Sequence, residues 1–112
     1  MAKKIKERLC LTYVPEWKGN KEKKERDQIK VCYRPATLGE FEAYASNRET
    51  QVYRHFKNHV TFENLRDGQT KAEIKTGEEF MDSTDARLRT LLIEITTWIF
   101  GQSILDPEEE KN

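Results

Sequence analysis

Two histidines, His55 and His59, stand four residues apart, a spacing that puts both rings on one helix face and can start a metal site. A zinc protease would need Glu directly after the first His, where this chain has Phe56. The nearest carboxylate, Glu63, falls beyond the expected end of that helix, so the pair reads as two partly exposed polar side chains and no metal is expected. Cys10 and Cys32 are the only cysteines. Their spacing does not suit a redox pair and no further cysteine completes a zinc site. With no sign of export, they read as buried thiols rather than a disulfide. No Gly-x-Ser-x-Gly elbow occurs, and Gly39, Gly68, Gly77 and Gly101 each fall at a turn or helix boundary rather than in a phosphate-cradling loop. Carboxylates are abundant, but acid–base work needs an enclosed pocket to separate their pKa values, and a chain of 112 residues leaves little room for one. No catalytic residue and no cofactor is expected. The chain reads as a protein that binds other proteins, not as an enzyme.

Binding chemistry has better candidates. Trp17 lies between Glu16 and Lys18 in a charged stretch where no core periodicity explains it. It can serve as a partner anchor or fold back over a small sheet. Leu88, Leu91, Leu92, Ile95 and Ile99, with the ring of Trp98 or Phe100, recur at helical spacing as a wide apolar stripe. Such a stripe faces the core by default, and a stripe this wide can also serve a partner or a homo-oligomer. The candidate partner-binding set is therefore Trp17, Leu88, Leu91, Leu92, Ile95, Trp98 and Ile99.

The elements that must position these residues are legible in outline. Arg8 to Val14 and Ile29 to Arg34 alternate as strands that can pair antiparallel. The Lys/Glu-rich segment 15–28 between them reads as a flexible charged flap, and the two strands need helices to cover them. Thr37-Leu38-Gly39-Glu40 is a capping box opening a helix that ends near Ser46 or Asn47. Val52, Phe56 and Val60, four apart, predict a second helix from about Arg48 to His59, with extended structure over Val60-Thr61-Phe62. Arg66-Asp67-Gly68 is a turn signal, since Asp-Gly readily supplies a positive φ. Thr76-Gly77-Glu78-Glu79 is a second capping box before a short helix around Phe80 and Met81. Ser83, Thr84 or Asp85 caps the last helix, which Gly101 is expected to stop. The expected fold class is α+β: a small antiparallel β-sheet or hairpin at the N-terminus, packed by three to four α-helices, the last (about 85–101) amphipathic. A single domain over 1–102 is followed by an acidic tail over 103–112.

Charge narrows the partners. The formal net charge is zero with 36% charged residues, and the mean hydropathy is -0.91. Residues 1–30 hold ten Lys or Arg against five Asp or Glu, while residues 73–112 hold four against ten. A basic arm suggests nucleic acid, but Glu22, Glu25 and Asp27 interrupt the lysines and blunt a phosphate-tracking field, so nucleic acid is not the expected partner. No apolar run approaches the roughly 20 residues that span a bilayer, and no apolar stretch follows the basic N-terminus as in a secretory signal. No membrane association is expected.

The order of these signals resembles one known family. Val31-Cys32-Tyr33-Arg34-Pro35-Ala36-Thr37 leads into a helix at Leu38-Gly39-Glu40, and His59-Val60-Thr61-Phe62-Glu63-Asn64-Leu65 precedes the turn at Asp67-Gly68. Ile74-Lys75-Thr76-Gly77-Glu78-Glu79-Phe80, the amphipathic helix from Asp85, and Ser103-Ile104-Leu105-Asp106-Pro107 with its acidic run follow. Over residues 29–112 this resembles the tail assembly chaperones of long-tailed bacteriophages. The resemblance implies a bacterial host cytoplasm, and the tape measure protein and tail tube protein as partners. Glu110-Lys111-Asn112 can be encoded with a slippery heptamer, and many such genes frameshift near their end to append a second domain. Two other readings stand beside it: a structural tail completion or head–tail connector protein, and a small nucleic-acid-binding regulator using the basic N-terminal third.

Overall fold

A computed structural model describes residues 10–109, with side chains described as far as Gly101. The chain is α+β. Among the described residues four strands, β1 (Leu11–Tyr13), β2 (Lys30–Tyr33), β3 (Val60–Arg66) and β4 (Glu73–Thr76), form one antiparallel sheet in sequential order. Four α-helices accompany the strands among the described residues: α1 (Leu38–Ser46), α2 (Arg48–His59), α3 (Gly77–Asp82) and α4 (Leu88–Glu109). Helices α1 and α2 are inserted between β2 and β3. The expected N-terminal pair of strands is present, though the start of the first, Arg8 and Leu9, lies outside the described residues. The sheet is twice as wide as that pair because β3 adds to β2 and β4 adds to β3.

One face of the sheet is buried and the other is open, as period-two alternation requires. Val31 and Tyr33 point inward from β2, Val60, Phe62 and Leu65 from β3, and Ile74 from β4. The step from Phe62 to Leu65 is odd, which would turn Leu65 outward in a regular strand. The pairing shifts register between Thr61 and Leu65, and Asn64 takes φ +64° there. Four residue steps on β3 thus oppose two on β4, and this irregularity returns Leu65 to the core side.

Both capping boxes form as expected. The Thr37 hydroxyl accepts from the Glu40 amide at 3.1 Å and the Glu40 carboxylate accepts from the Thr37 amide at 2.9 Å. Thr76 and Glu79 repeat the arrangement at α3. Gly77 opens α3 directly against the end of α2, where an added Cβ would overlap the Phe56 carbonyl. That close approach is why glycine stands there.

Four expectations are corrected. The segment 15–28 is not a plain flexible flap: it is wound into 3₁₀ turns at Trp17–Glu22 and Glu25–Asp27 and pinned by amide side chains. Asn20 is wholly buried, donating to the Pro15 and Ile29 carbonyls and accepting from the Ile29 amide at 2.7 Å. Asn64 donates to the Arg26 and Gln28 carbonyls, and Gln28 to those of Lys21 and Lys23. Charge kept these residues at the surface without keeping their backbone unstructured. Second, Cys10 and Cys32 are disulfide-bonded, with Cα atoms 5.7 Å apart. The register sets Thr12 opposite Cys32, so Cys10 lies diagonally across the strand pair, within bridging reach.

Third, the turn between β3 and β4 spans residues 67–72, and its positive φ falls at Lys71, not in Asp67-Gly68. Gly68 is needed instead for contact, because its amide donates to Asp85 and a Cβ would overlap the Arg87 guanidinium. Asp67 accepts from Ser83 and from the Gln69 and Thr70 amides, so this turn and the α3–α4 linker lock together. The Ser83 hydroxyl, then those amides, hold the Asp67 carboxyl below the usual carboxylate range. Fourth, α4 does not stop at Gly101. Its backbone stays helical through Pro107 to Glu109, where a tail was expected. A glycine inside a helix costs only about 1 kcal/mol, which Gly101 shows is not enough to end this one. Residues 110–112 lie outside the described residues.

Candidate functional site

Helix α4 carries apolar residues round most of its circumference, and its surroundings sort them. Leu88, Leu91, Ile95 and Ile99 are buried against the sheet, together with Phe100. Most of the candidate binding stripe is therefore core. Leu92 and Trp98 are half-buried at its margins.

Trp98 belongs to a strip on α4, with Thr90 and Glu94, that holds the N-terminal segment. Its indole N–H donates to the Tyr33 hydroxyl at 2.8 Å, and its ring stacks on Tyr13 with centroids 4.5 Å apart. The Tyr13 hydroxyl and the Glu16 amide both donate to one Glu94 oxygen, at 2.6 and 2.7 Å. Burial and then the Glu94 carboxylate push the Tyr13 phenol up. Trp17 donates to the Thr90 hydroxyl at 2.8 Å, with the Lys18 ammonium 5.4 Å from its ring centroid. Of its two sequence-level placements, Trp17 takes the fold-back, onto α4 rather than over the sheet.

The opposite side of α4 is where apolar surface stays open. Ile93 lies about 200° round the helix from Leu91 at 3.6 residues per turn and is 57% exposed. It borders a groove of about 340 Å³ whose floor also includes Leu92, Thr96 and Thr97 of α4. Tyr44 of α1, Val52 of α2 and Met81 of α3 form the facing wall, with Arg48 and Glu49 of α2 also lining it. Arg48 packs over the Tyr44 ring at 5.2 Å, and Tyr44 in turn stacks on Phe100. Of these residues only Leu92 was singled out from the sequence. Ile93 carries the signal that could have revealed the rest: an isoleucine out of phase with the stripe.

Beneath this wall lies a buried polar cluster. His55 is wholly buried, and its Nε2 must donate to the Arg34 carbonyl, 2.8 Å away, because a carbonyl only accepts. That leaves Nδ1 a bare lone pair, 3.9 Å from Glu40 and without a hydrogen-bond partner among the described residues. His59 is on the same helix face, as expected, with ring centroids 5.1 Å apart. Arg34 joins Glu40 at 2.6 Å, so the carboxylate nearest the His55 ring is already paired with a cation. Among the described residues no three His, Cys, Asp or Glu side chains converge to hold a metal ion.

Burial, which disfavours the charged imidazolium, pushes both His55 and His59 below the ordinary value; the Arg34 charge acts the same way, while the Arg34 carbonyl bonded to His55 and the Glu40 carboxylate oppose it. The unfolded chain therefore takes up protons below about pH 6.5 that the folded chain resists, so stability falls as pH drops from that value. Thermal melts from pH 7.5 to about 5 should show this decline, and a His55→Gln, His59→Gln double variant should flatten it. An unchanged wild-type melting temperature across that window would contradict the burial of these rings.

Among the described residues no helix is long and apolar enough to cross a membrane. Comparisons with protein-family models, with characterised proteins and with solved structures find no match to this chain.

Proposed function

We propose that this chain is a tail assembly chaperone of a long-tailed bacteriophage. It is a non-catalytic protein that binds the tape measure protein and tail tube subunits until the tube encloses the tape measure. The order of sequence signals over residues 29–112 supports the family, and the open groove beside α4 supports the role. A long helical client with exposed apolar stripes aggregates unless those stripes are covered, and an apolar groove between helices covers one turn after another. Because the α4 stripe is core, the client contact moves from Leu91 and Ile95 to Leu92, Ile93 and the facing wall.

The test is co-expression with the long helical protein encoded downstream in the same genome. The wild-type chain should keep that protein soluble. Ile93→Glu should leave the fold within about 0.5 kcal/mol, as exposed substitutions do, yet weaken client binding by about tenfold or more. If the client stays equally soluble with Ile93→Glu, the groove is not the binding site. Recovery of the chain as a fixed ring in finished particles would instead favour a connector.

A further inference from the structure

Cys32 stands between Val31 and Tyr33, the inward residues of β2, so its side chain turns to the open face of the sheet. Cys10 shares that face, since it precedes by two residues Thr12, which lies opposite Cys32. The disulfide between them is therefore on the solvent side of the sheet, with Cys10 exposed and Cys32 half-buried. A small dithiol can reach it without the core opening.

What the bridge holds is narrow. Strand β1 buries little before Tyr13, for Leu11 is 47% exposed and Thr12 is exposed as well. The Arg34 amide donates to the His59 carbonyl at 3.2 Å, on the β3 side of its strand. Alternation then turns the amide and carbonyl of Tyr33 the other way, to Leu11, and those of Val31 to Tyr13. From Tyr13 onward the chain has an anchor of its own, because Tyr13, Glu16 and Trp17 are bonded to α4. The 3₁₀ turns beyond are pinned by Asn20. Helix α4 thus grips one end of β1, and the disulfide grips the other.

We propose that the Cys10–Cys32 disulfide is a redox switch on the outer edge of β2. Reduction by a dithiol releases Leu11 from Tyr33, while the chain from Tyr13 onward stays clamped on α4. A thiolate of the dithiol attacks the Cys10 sulfur, the S–S bond breaks, and its electron pair leaves on the Cys32 sulfur, which takes a proton. The second thiol of the reductant then displaces Cys10 as a free thiol. The dithiol departs as a disulfide, having given up two electrons and two protons, and a disulfide oxidant reverses each step. An unpaired strand edge exposes backbone groups with which other chains can pair, so the redox state decides whether the Tyr33 end of that edge is open or closed.

The test is amide hydrogen exchange on the full chain, oxidised in air and then treated with excess dithiothreitol without denaturant, with free thiols counted by alkylation and mass spectrometry. Reduction should be complete in the folded protein and should speed exchange of the Leu11 and Tyr33 amides by about tenfold or more, the mark of a local opening. The amides of Val31, opposite Tyr13, and of Ile29, held by Asn20, should keep their rates. A Cys10→Ser, Cys32→Ser double variant should match the reduced wild type and should not respond to the reagent. Free thiols in the oxidised protein, or reduction that proceeds only in denaturant, would overturn the proposal. Unchanged exchange at Leu11 and Tyr33 after reduction would do the same. Loss of protection at Val31, Ile29 and α4 together would also overturn it, and would make the bridge a staple for the whole domain.

Discussion

Truncation of Leu91 to alanine should lower the stability of this domain by about 3 kcal/mol, the typical cost of a buried leucine that leaves a cavity. Leu91 is fully buried where α4 meets the sheet, with Ile95 one turn further on and Leu88 one turn back. Its removal takes away the transfer energy of three carbons, one methine and two methyls, and leaves a void that fixed strands and helices cannot close. A domain of this size holds roughly 5–15 kcal/mol in total, so the loss should move the denaturant midpoint markedly with the slope unchanged. Ile93→Ala, two residues away but exposed, should cost no more than about 0.5 kcal/mol. The contrast tells the core face of α4 from its open face without any client. A Leu91→Ala loss below about 1 kcal/mol would mean that the stripe does not face the sheet.

Replacing Asn20 by alanine should cost a similar amount, about 3 kcal/mol, for a different reason. The amide of Asn20 satisfies the Pro15 carbonyl and both the carbonyl and amide of Ile29, all in a buried site. Without it, three backbone groups lie away from water with no partner, at about 1–3 kcal/mol each before relaxation. Relaxation is available, because the 3₁₀ turns can open and let water in, and this keeps the expected loss below the full sum. Hydrogen exchange should therefore locate the damage: amides from Trp17 to Ile29 should lose protection well before those of α2 or β3. Asn20→Asp should not rescue, since a carboxylate keeps the acceptor for Ile29 but loses both donated bonds and buries a charge. A stability change within about 0.5 kcal/mol for Asn20→Ala would show that the segment is held by other contacts.

These two residues also mark the limits of what the sequence disclosed. The Leu91 stripe was legible because helix periodicity is local, and so were both capping boxes and the helix from Arg48 to His59. Asn20 was not, since its partners are backbone groups five and nine residues away, and nothing in a run of lysines and glutamates marks an amide as buried. The strand β4 escaped notice because Glu73-Ile74-Lys75-Thr76 offers one buried side chain, and it became a strand only by pairing with β3. The disulfide depended on register, which apolar alternation in two separate strands does not set. The groove was the least legible feature. Its walls come from four helices, and Tyr44, Met81 and Thr96 have no shared pattern until the chain brings them together.

The strip on α4 that holds Tyr13, Glu16 and Trp17 has a consequence for how the chain is made. These contacts join residues separated by 73 to 81 positions. During synthesis, Trp17 leaves the ribosome long before Thr90 and Glu94 exist to receive it. Until then β1 has only β2 beside it, and the Tyr13 and Trp17 rings have no α4 to lie on. Closure of so long a loop is slow relative to the helix-forming steps between. The segment from Tyr13 to Trp17 is thus synthesised well before the helix that holds it and is among the last parts to be completed.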